Sequence, residues 1–212
     1  MDNDIHLLYY LEDRAHWSLI SSLVKRITEE LGIERKVVED VRSPNPARLR
    51  ERNAIKERFR DLVGDIRKGL IRFDIFIVVV DGNREGVQKR RDDFTRILRG
   101  KTGGEEALSK LVFAIPDPHI EKWYMMDRDA FRTATGADAP AQHLISNALK
   151  LDYKLMLKKA FIDSGIHAIG GGVEYAEDII TAISDINKFK DLEQSCSSFV
   201  TDLREKLQLF YL

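Results

Sequence analysis

The stretch from Asp74 to Val80, DIFIVVV, is the longest run of β-branched and aromatic residues in the chain. An unbroken apolar run of this kind indicates a strand buried on both faces, as in the middle of a parallel sheet. It ends at Asp81, Gly82 and Asn83, residue types that favour turns. We therefore predict that Asp74–Val80 is a central strand and that Asp81 stands at its carboxyl end.

Working outward, three other short apolar runs predict strands at Ile5–Leu11, Lys36–Val41 and Leu111–Ile115. Helical periodicity lies between them, in a segment that ends near Gly32, in a basic stretch over about Ala47–Ile71 and in a charged stretch over about Arg84–Arg99. Because strands and helices alternate, the sequence predicts an α/β fold with a mostly parallel central sheet.

The pattern changes to helices alone beyond about Arg132. The predicted segments are Ala139–Leu149, Tyr153–Ile162, Val173–Ile186 and Phe199–Phe210. We expect an α/β domain over residues 1–132, with a basic helical insertion at about 45–72, and a helical C-terminal cap over 133–212. The triplet Gly170-Gly171-Gly172 lacks the preceding strand and the lysine of a nucleotide-binding loop, so it is interpreted as a turn.

The composition is that of a globular protein. Apolar residues make up 43% of the 212 positions and charged residues 33%. No run approaches the roughly 18 apolar residues of a membrane span, and the start of the chain lacks signal-peptide features, so we expect a cytoplasmic protein with no membrane partner. The lone cysteine, Cys196, excludes an internal disulfide, and no Cys/His spacing indicates zinc.

Charge is distributed unevenly along the chain. Residues 45–101 contain 16 Lys and Arg against 9 Asp and Glu, a local excess of +7 that leaves −8 for the rest. This half of the chain could face nucleic-acid phosphates, or its helices could be solvated and joined by internal ion pairs. Charge alone leaves both interpretations open.

Acidic residues follow three of the predicted strands. Glu12 comes after the first strand, Asp81 after the central one, and Glu121 soon after the last. Ligands of open parallel sheets bind at this edge, where crowded carboxylates would repel one another unless a cation such as Mg²⁺ neutralised them. Each residue also has a structural explanation. Glu12 and Glu121 are predicted to lie in first helical turns, where a carboxylate gains about 0.3–1 kcal/mol from the helix dipole, and Asp81 begins a turn-forming Asp-Gly-Asn triplet.

Three segments resemble motifs of the Toprim domain of topoisomerases, primases and overcoming-lysogenisation-defect nucleases. LLYYLEDRAHWSLISSLV, residues 7–24, is similar to the first motif, and FIVVVDGNREG, residues 76–86, to the second. LVFAIPDPHIEKWYMMD, residues 111–127, resembles an element of poorly characterised bacterial Toprim-like proteins associated with phage defence, as does the late segment SCSSFVTDLREKL. The resemblance spans most of the chain.

The resemblance implies a Rossmann-like Toprim fold and a Mg²⁺- or Mn²⁺-dependent nuclease, with a partner protein such as an ATPase as a further implication. Glu12, Asp81 and Glu121 would be catalytic, and these three with Asn83 would bind the metal. The family's glycine is replaced by Asp13, and its second aspartate by the uncharged Asn83. A non-catalytic module that binds nucleic acid or a nucleotide is therefore the alternative.

Basic residues near the acids would stabilise the charge that develops in phosphodiester chemistry. The candidates for phosphate or nucleic-acid contact are Arg84, Lys89, Arg90 and Lys122, with Arg48, Arg52 and Lys56 in the basic helical stretch. The sequence fits either a structural or a catalytic role for His16. A receiver-like phospho-acceptor domain around Asp81 is a third interpretation, but it lacks a strand-end lysine.

Overall fold

A computed structural model describes residues 4–33, 37–42, 54–83, 85–100, 104–140, 152–187 and 193–210. Its strands are β1 (Ile5–Leu11), β2 (Val37–Arg42), β3 (Ile75–Val79) and β4 (Leu111–Ala114). Its helices are α1 (Arg14–Glu30), α2 (Ala54–Arg67), α3 (Gly86–Arg99), α4 (Gly104–Ser109), α5 (Glu121–Tyr124), α6 (Arg128–Thr135), α7 (Tyr153–Asp163), α8 (Ala176–Ala182) and α9 (Gln194–Gln208).

The four strands form one parallel sheet in the order β2-β1-β3-β4. The predicted α/β class and parallel sheet are confirmed, with each strand boundary within one residue of the prediction. All five residues of β3 are buried, as the apolar run DIFIVVV indicated, because β3 lies between β1 and β4. Leu11 pairs with Val79, so β1 and β3 end at the same level of the sheet.

Side chains alternate between the two faces of each strand, and helices cover both faces. On one face, Tyr9 and Leu11 pack with α1 and the C-terminal helices. On the other face, Tyr10 and Phe76 pack with α2, α3 and α4. The sheet is therefore buried on both sides, which is why its strands have continuous apolar sequences rather than alternating ones.

The C-terminal helices belong to the same hydrophobic core as α1. Helix α9 packs on β4, and α8 packs on α1 and α6. Trp123 is fully buried in this core, and its indole Nε1 donates to Glu193 Oε2 at 3.1 Å. Within the described ranges, no helix is both long and apolar enough to span a membrane.

Several helices differ from the predictions. Helices α4 and α6 were not predicted, because short charged segments carry little periodicity and depend on burial of residues such as Ala107 and Phe131. The predicted helix Val173–Ile186 is instead a 3-10 turn at Val173–Tyr175 followed by the shorter α8. The predicted helix Ala139–Leu149 falls almost wholly outside the described residues, as do residues 47–53 of the predicted basic helix.

The loop after β3 packs backbone to backbone against the loop after β4. Gly82 donates its N–H to the carbonyl of Pro116 at 2.7 Å. A Cβ added at Gly82 would lie 2.7 Å from Asp117 Oδ1 and 3.1 Å from Pro116 O. This close approach fixes the position of Asp81, the residue just before it.

We predict that Gly82→Ala destabilises the protein by about 1–3 kcal/mol, because the added methyl group overlaps the Asp117 carboxylate and crowds the Pro116 carbonyl. Gly64 is the matched control. It lies inside α2 and has no atom within 4 Å of an added Cβ, so Gly64→Ala should stabilise the protein by up to about 1 kcal/mol. Urea unfolding of both variants measures the difference, and equal effects at the two glycines would contradict the packing described here.

Candidate metal and phosphodiester site

Two of the predicted acidic residues meet at the carboxyl edge of the sheet. Glu12 continues the β1 ladder by donating its N–H to Val79 O at 3.0 Å. Its carboxylate Oε2 then accepts a hydrogen bond from the backbone N–H of Asp81 at 2.9 Å. The equal ends of β1 and β3 thus bring Glu12 and Asp81 together, in the way that ligand sites form in open parallel sheets.

His16 enters the cluster from the first turn of α1. Asp13 is the N-cap of this helix and accepts from the His16 backbone N–H at 3.2 Å. The buried His16 ring lies between two carboxylates, with Nδ1 2.9 Å from Asp13 Oδ1 and Nε2 3.0 Å from Asp81 Oδ1. Ionised carboxylates only accept hydrogen bonds, so this geometry requires a proton on both ring nitrogens.

His119 approaches Asp81 from the loop after β4. Its Nδ1 lies 3.0 Å from Asp81 Oδ2, and the neighbouring Ile120 N–H donates to Asp81 Oδ1 at 3.0 Å. Asp81 is 6% exposed and accepts from two histidines and one backbone amide. The carboxylate is therefore held as an anion in a nearly closed environment.

These contacts shift the protonation equilibria strongly. Burial alone would raise the pKa of Asp81, but the hydrogen bonds from His119 and His16 hold it well below its usual range. Burial would lower the pKa of His16, but the hydrogen bonds to Asp13 and Asp81 raise it to about 10. The pKa of Glu12 is raised, first by burial and then by the charge of Asp81. Glu12 is thus the acid of this cluster that ionises least readily.

Glu121 is buried nearby, at the start of α5, with 4% of its surface exposed. Its Oε1 lies 3.6 Å from Lys154 Nζ, and its Oε2 has no hydrogen-bond partner in the described structure. Burial is the main cause of its raised pKa. In the described ranges, the acidic and imidazole groups whose ligand atoms all lie within 4.8 Å of one another are Glu12, His16 and Asp81. Glu121 is not part of that group.

Asn83 adopts a left-handed backbone conformation, with φ of 51°, which asparagine tolerates better than most residues. Its N–H donates to Pro118 O at 2.8 Å, and its side-chain Nδ2 donates to the Asp81 carbonyl at 3.4 Å. The side chain thus contacts the Asp81 backbone, and its role as a metal ligand stays a prediction.

The predicted basic residues are placed at different distances from the cluster. The charge of Arg90 acts on the Glu12 carboxylate and lowers its pKa slightly against the larger effect of burial. Its Nη1 lies 3.5 Å from Glu85 Oε2, and its buried Nε has no partner among the described residues. Lys122 Nζ donates to Asp117 O at 2.9 Å.

Two other basic candidates that the structure describes, Lys89 and Lys56, form no ion pair with Glu12, Asp81 or Glu121. Lys89 pairs with Glu85 at 3.6 Å, and Lys56 pairs with Asp93 at 2.6 Å. Arg48, Arg52 and Arg84 lie outside the described residues. Their predicted contacts with phosphate therefore stay predictions.

Sequence reasoning missed two functional candidates, His119 and Lys154, and left His16 undecided. His16 is four residues after Glu12, in the first turn of the helix whose cap is Asp13, so its spacing places it at the same sheet edge. His119 stands two residues before Glu121, so its closeness to that strand-end acid in the sequence could also have placed it at this edge. For Lys154 no local signal exists, because its approach to Glu121 depends on how α7 packs.

No protein-family model, curated protein or solved structure matches this chain. The site is therefore interpreted from its own geometry.

The raised pKa of His16 predicts a pH dependence of folding. A histidine whose pKa rises from 6.5 to about 10 on folding contributes stability that is complete below pH 6.5 and lost as the pH rises through 10. Denaturant unfolding in EDTA should therefore show stability falling between about pH 7 and 10. In His16→Gln, which has no titrating ring, the fall over this interval should be smaller. The same pH profile in both proteins would show that His16 is not charged in the folded state.

Proposed function

We propose that this protein is a divalent-metal-dependent phosphodiesterase that cleaves nucleic acid, with a Toprim-like catalytic edge. The observation that supports this function best is the cluster of Glu12, His16 and Asp81, whose ligand atoms lie within 4.8 Å of one another at the carboxyl ends of parallel strands. The resemblance of residues 7–24 and 76–86 to Toprim motifs points to the same residues and extends the proposal to a role in phage defence.

The donor set fits a divalent cation. Glu12 and Asp81 repel each other, as the raised pKa of Glu12 reflects after the effect of burial. Two imidazolium rings now offset the charge of Asp81, and a divalent cation would neutralise both carboxylates more completely. Glu12, Asp81 and a deprotonated His16 would hold it. When bound, the ion would act as a Lewis acid on a phosphoryl oxygen.

The identity of the donors favours manganese over magnesium. Magnesium prefers an all-oxygen environment, whereas Mn²⁺ binds imidazole nitrogen as well as carboxylate oxygen. His16 contributes the nitrogen to a set in which Glu12 and Asp81 contribute oxygens. We therefore expect Mn²⁺ to be the stronger activator and Mg²⁺ to be the weaker one.

His119 is the best-placed group for proton transfer. Asp81 orients its ring through Nδ1, and its Nε2 makes no hydrogen bond within the described part of the chain. The side chain is 31% exposed, so substrate can reach it. The hydrogen bond to Asp81 is the main cause of its raised pKa, so the ring holds its proton to higher pH than a free imidazole and would donate it to the leaving oxygen.

Glu12 is the candidate general base. Its pKa is raised by burial, which brings its proton affinity closer to that needed near neutral pH. Glu121 contributes a second buried carboxylate beside His119 and Lys154, whose charges act on it. Glu121 would keep the His119 and Lys154 side chains in place at the edge of the cluster.

The second candidate function is a non-catalytic module that binds nucleic acid or a nucleotide. One observation favours it. Asn83 replaces the second aspartate of the Toprim motif, and its amide hydrogen-bonds to the Asp81 carbonyl. The site would then contain one acidic ligand fewer than the nucleases it resembles. Cleavage assays with purified protein decide between the two functions.

We predict that Asp81→Asn, Glu12→Gln and His119→Gln each reduce Mn²⁺-dependent cleavage of DNA or RNA by about 10²–10⁴-fold, because each removes a charge or proton at the reacting phosphate. Circular dichroism should show that the fold is retained. Glu177→Gln is the control, since Glu177 pairs with Lys25 on the surface and does not contact the cluster. Full activity in Asp81→Asn would exclude this site.

Metal binding gives a separate prediction. In calorimetric titrations, Mn²⁺ should bind more tightly than Mg²⁺, and Asp81→Asn should weaken both by at least about tenfold. His16→Gln should reduce the preference for Mn²⁺, because it removes the nitrogen donor. His119→Gln should retain metal binding, since His119 lies outside the ligand group. A wild-type protein that binds neither ion would contradict the proposed metal site.

A further inference from the structure

Most of the described Lys and Arg residues on or beside α2 and α3 form ion pairs. Those that contact a carboxylate within 4.0 Å are Lys56, Arg58, Lys68, Lys89, Arg90, Arg91 and Arg96. Six of these seven cations pair with carboxylates of the same segment, residues 45–101, which its net excess of +7 already counts. The described part of the segment carries 11 of its 16 Lys and Arg and 8 of its 9 Asp and Glu, an excess of +3. The net positive charge of this described surface is therefore small, and cations on other helices are candidates for phosphate contact.

Helix α7 has an outward face that is rich in lysine. Its inner face is buried through Tyr153, Leu157, Ala160 and Phe161. The solvent-facing positions include Lys154, Lys158 and Lys159. Neither Lys158 nor Lys159 forms an ion pair or hydrogen bond with any residue that the structure describes. Lys158 and Lys159 thus carry positive charge that no described carboxylate pairs with, whereas Lys154 pairs with Glu121. The exposed carboxylates of Asp152 and Asp163 lie at the two ends of the same helix.

Lys154 connects this face to the candidate site. Its Nζ lies 3.6 Å from Glu121 Oε1, while 62% of its side chain is exposed. Burial lowers its pKa, but the charges of Glu121, Asp13 and Asp81 raise it overall, which places the ammonium group beside the acidic cluster. Lys158 follows four residues later on the same ridge, about 6 Å along the helix.

We propose that the exposed face of α7, formed by Lys154, Lys158 and Lys159, binds the phosphate backbone of a nucleic acid and leads it to the cluster of Glu12, His16 and Asp81. The inference rests on the proposed function and identifies the surface that holds the substrate. Lys154 contacts the phosphate next to the reacting one, and Lys158 and Lys159 contact phosphates farther away. Lysine contacts to phosphate carry no base specificity, so binding depends on charge and salt.

A second kind of anionic surface, a lipid headgroup layer, would also attract lysines. Two apolar side chains on this face, Leu155 and Ile162, are 61% and 62% exposed. Two side chains are a small apolar area, however, and the main apolar face of α7 is already buried in the core. The first lysine of this face, Lys154, also lies beside Glu121 and the site for which phosphodiester chemistry is proposed. Nucleic acid is therefore the partner that the arrangement favours.

The test compares two double variants that each remove two positive charges. Lys158→Gln with Lys159→Gln changes the α7 face, and Arg60→Gln with Lys68→Gln changes exposed positions on and just after α2. Binding of a labelled single-stranded oligonucleotide is measured by fluorescence anisotropy in EDTA, so that metal-dependent cleavage does not interfere. Each titration is repeated over a fourfold range of salt, and vesicles of phosphatidylserine and phosphatidylcholine form a parallel arm.

Two phosphate contacts to a single strand contribute about 1.4 to the slope of log affinity against log salt, or about sevenfold in affinity over a fourfold change in salt. We expect the α7 variant to lose this much salt dependence and the α2 variant to keep the wild-type slope. An equal or larger loss in the α2 variant would overturn the proposal, as would lysine-dependent binding to vesicles without binding to the oligonucleotide.

Cleavage is measured separately with Mn²⁺. Slower cleavage by the α7 variant that recovers at high substrate concentration would support a binding role for this face. Unchanged affinity and unchanged cleavage in the α7 variant would overturn the inference while leaving the proposed function intact. Conversely, α7-dependent binding by a protein that cleaves nothing would support the inference and reject the nuclease.

Discussion

The carboxylate of Asp81 lies almost entirely out of water, and an ion in that position is costly unless its neighbours stabilise it. Two histidines and the Ile120 amide donate to its oxygens, while its own backbone N–H donates to Glu12. These partners come from the ends of β1 and β3, from α1 and from the loop after β4. Each of these segments therefore has to fold correctly before the charge of Asp81 is satisfied, and the arrangement of this whole edge of the sheet depends on this one group.

The same network links chemistry to stability. The hydrogen bond between His16 and Asp81 contributes both to the lowered pKa of Asp81, after the bond from His119, and to the raised pKa of His16, after the bond to Asp13. The folded state is therefore favoured over the pH range in which both groups are charged. A cation that takes His16 as a ligand must displace a proton that this pairing holds firmly. Metal affinity should therefore increase with pH, while the metal-free fold becomes less stable. The two effects oppose each other as the pH rises.

The sequence predicted the sheet well because its strongest signals are local. The apolar side chains of DIFIVVV are all buried when the segment is a central strand of a parallel sheet. An acid that directly follows such a strand lies at the carboxyl edge of the sheet. For this reason Glu12 and Asp81 were assigned to the same place from sequence alone. His119 and Lys154 were not, because their positions depend on the path of the loop after β4 and on the docking of α7. The short helices α4 and α6 were missed for a related reason, since their stability comes from tertiary packing rather than from periodicity.

The distribution of charge on the folded surface also depends on tertiary packing and could not be predicted from local sequence. Residues 45–101 have an excess of +7 in the sequence, but the described structure contains 11 of their 16 Lys and Arg and 8 of their 9 Asp and Glu, an excess of +3. Many of these cations pair with carboxylates on the same or an adjacent helix, and such exposed pairs contribute little to stability. On α7 the lysine count is lower, but Lys158 and Lys159 have no acidic partner among the described residues. The electrostatic surface of this protein is therefore set by which cations remain unpaired after folding, and this property cannot be obtained by counting charges along the chain.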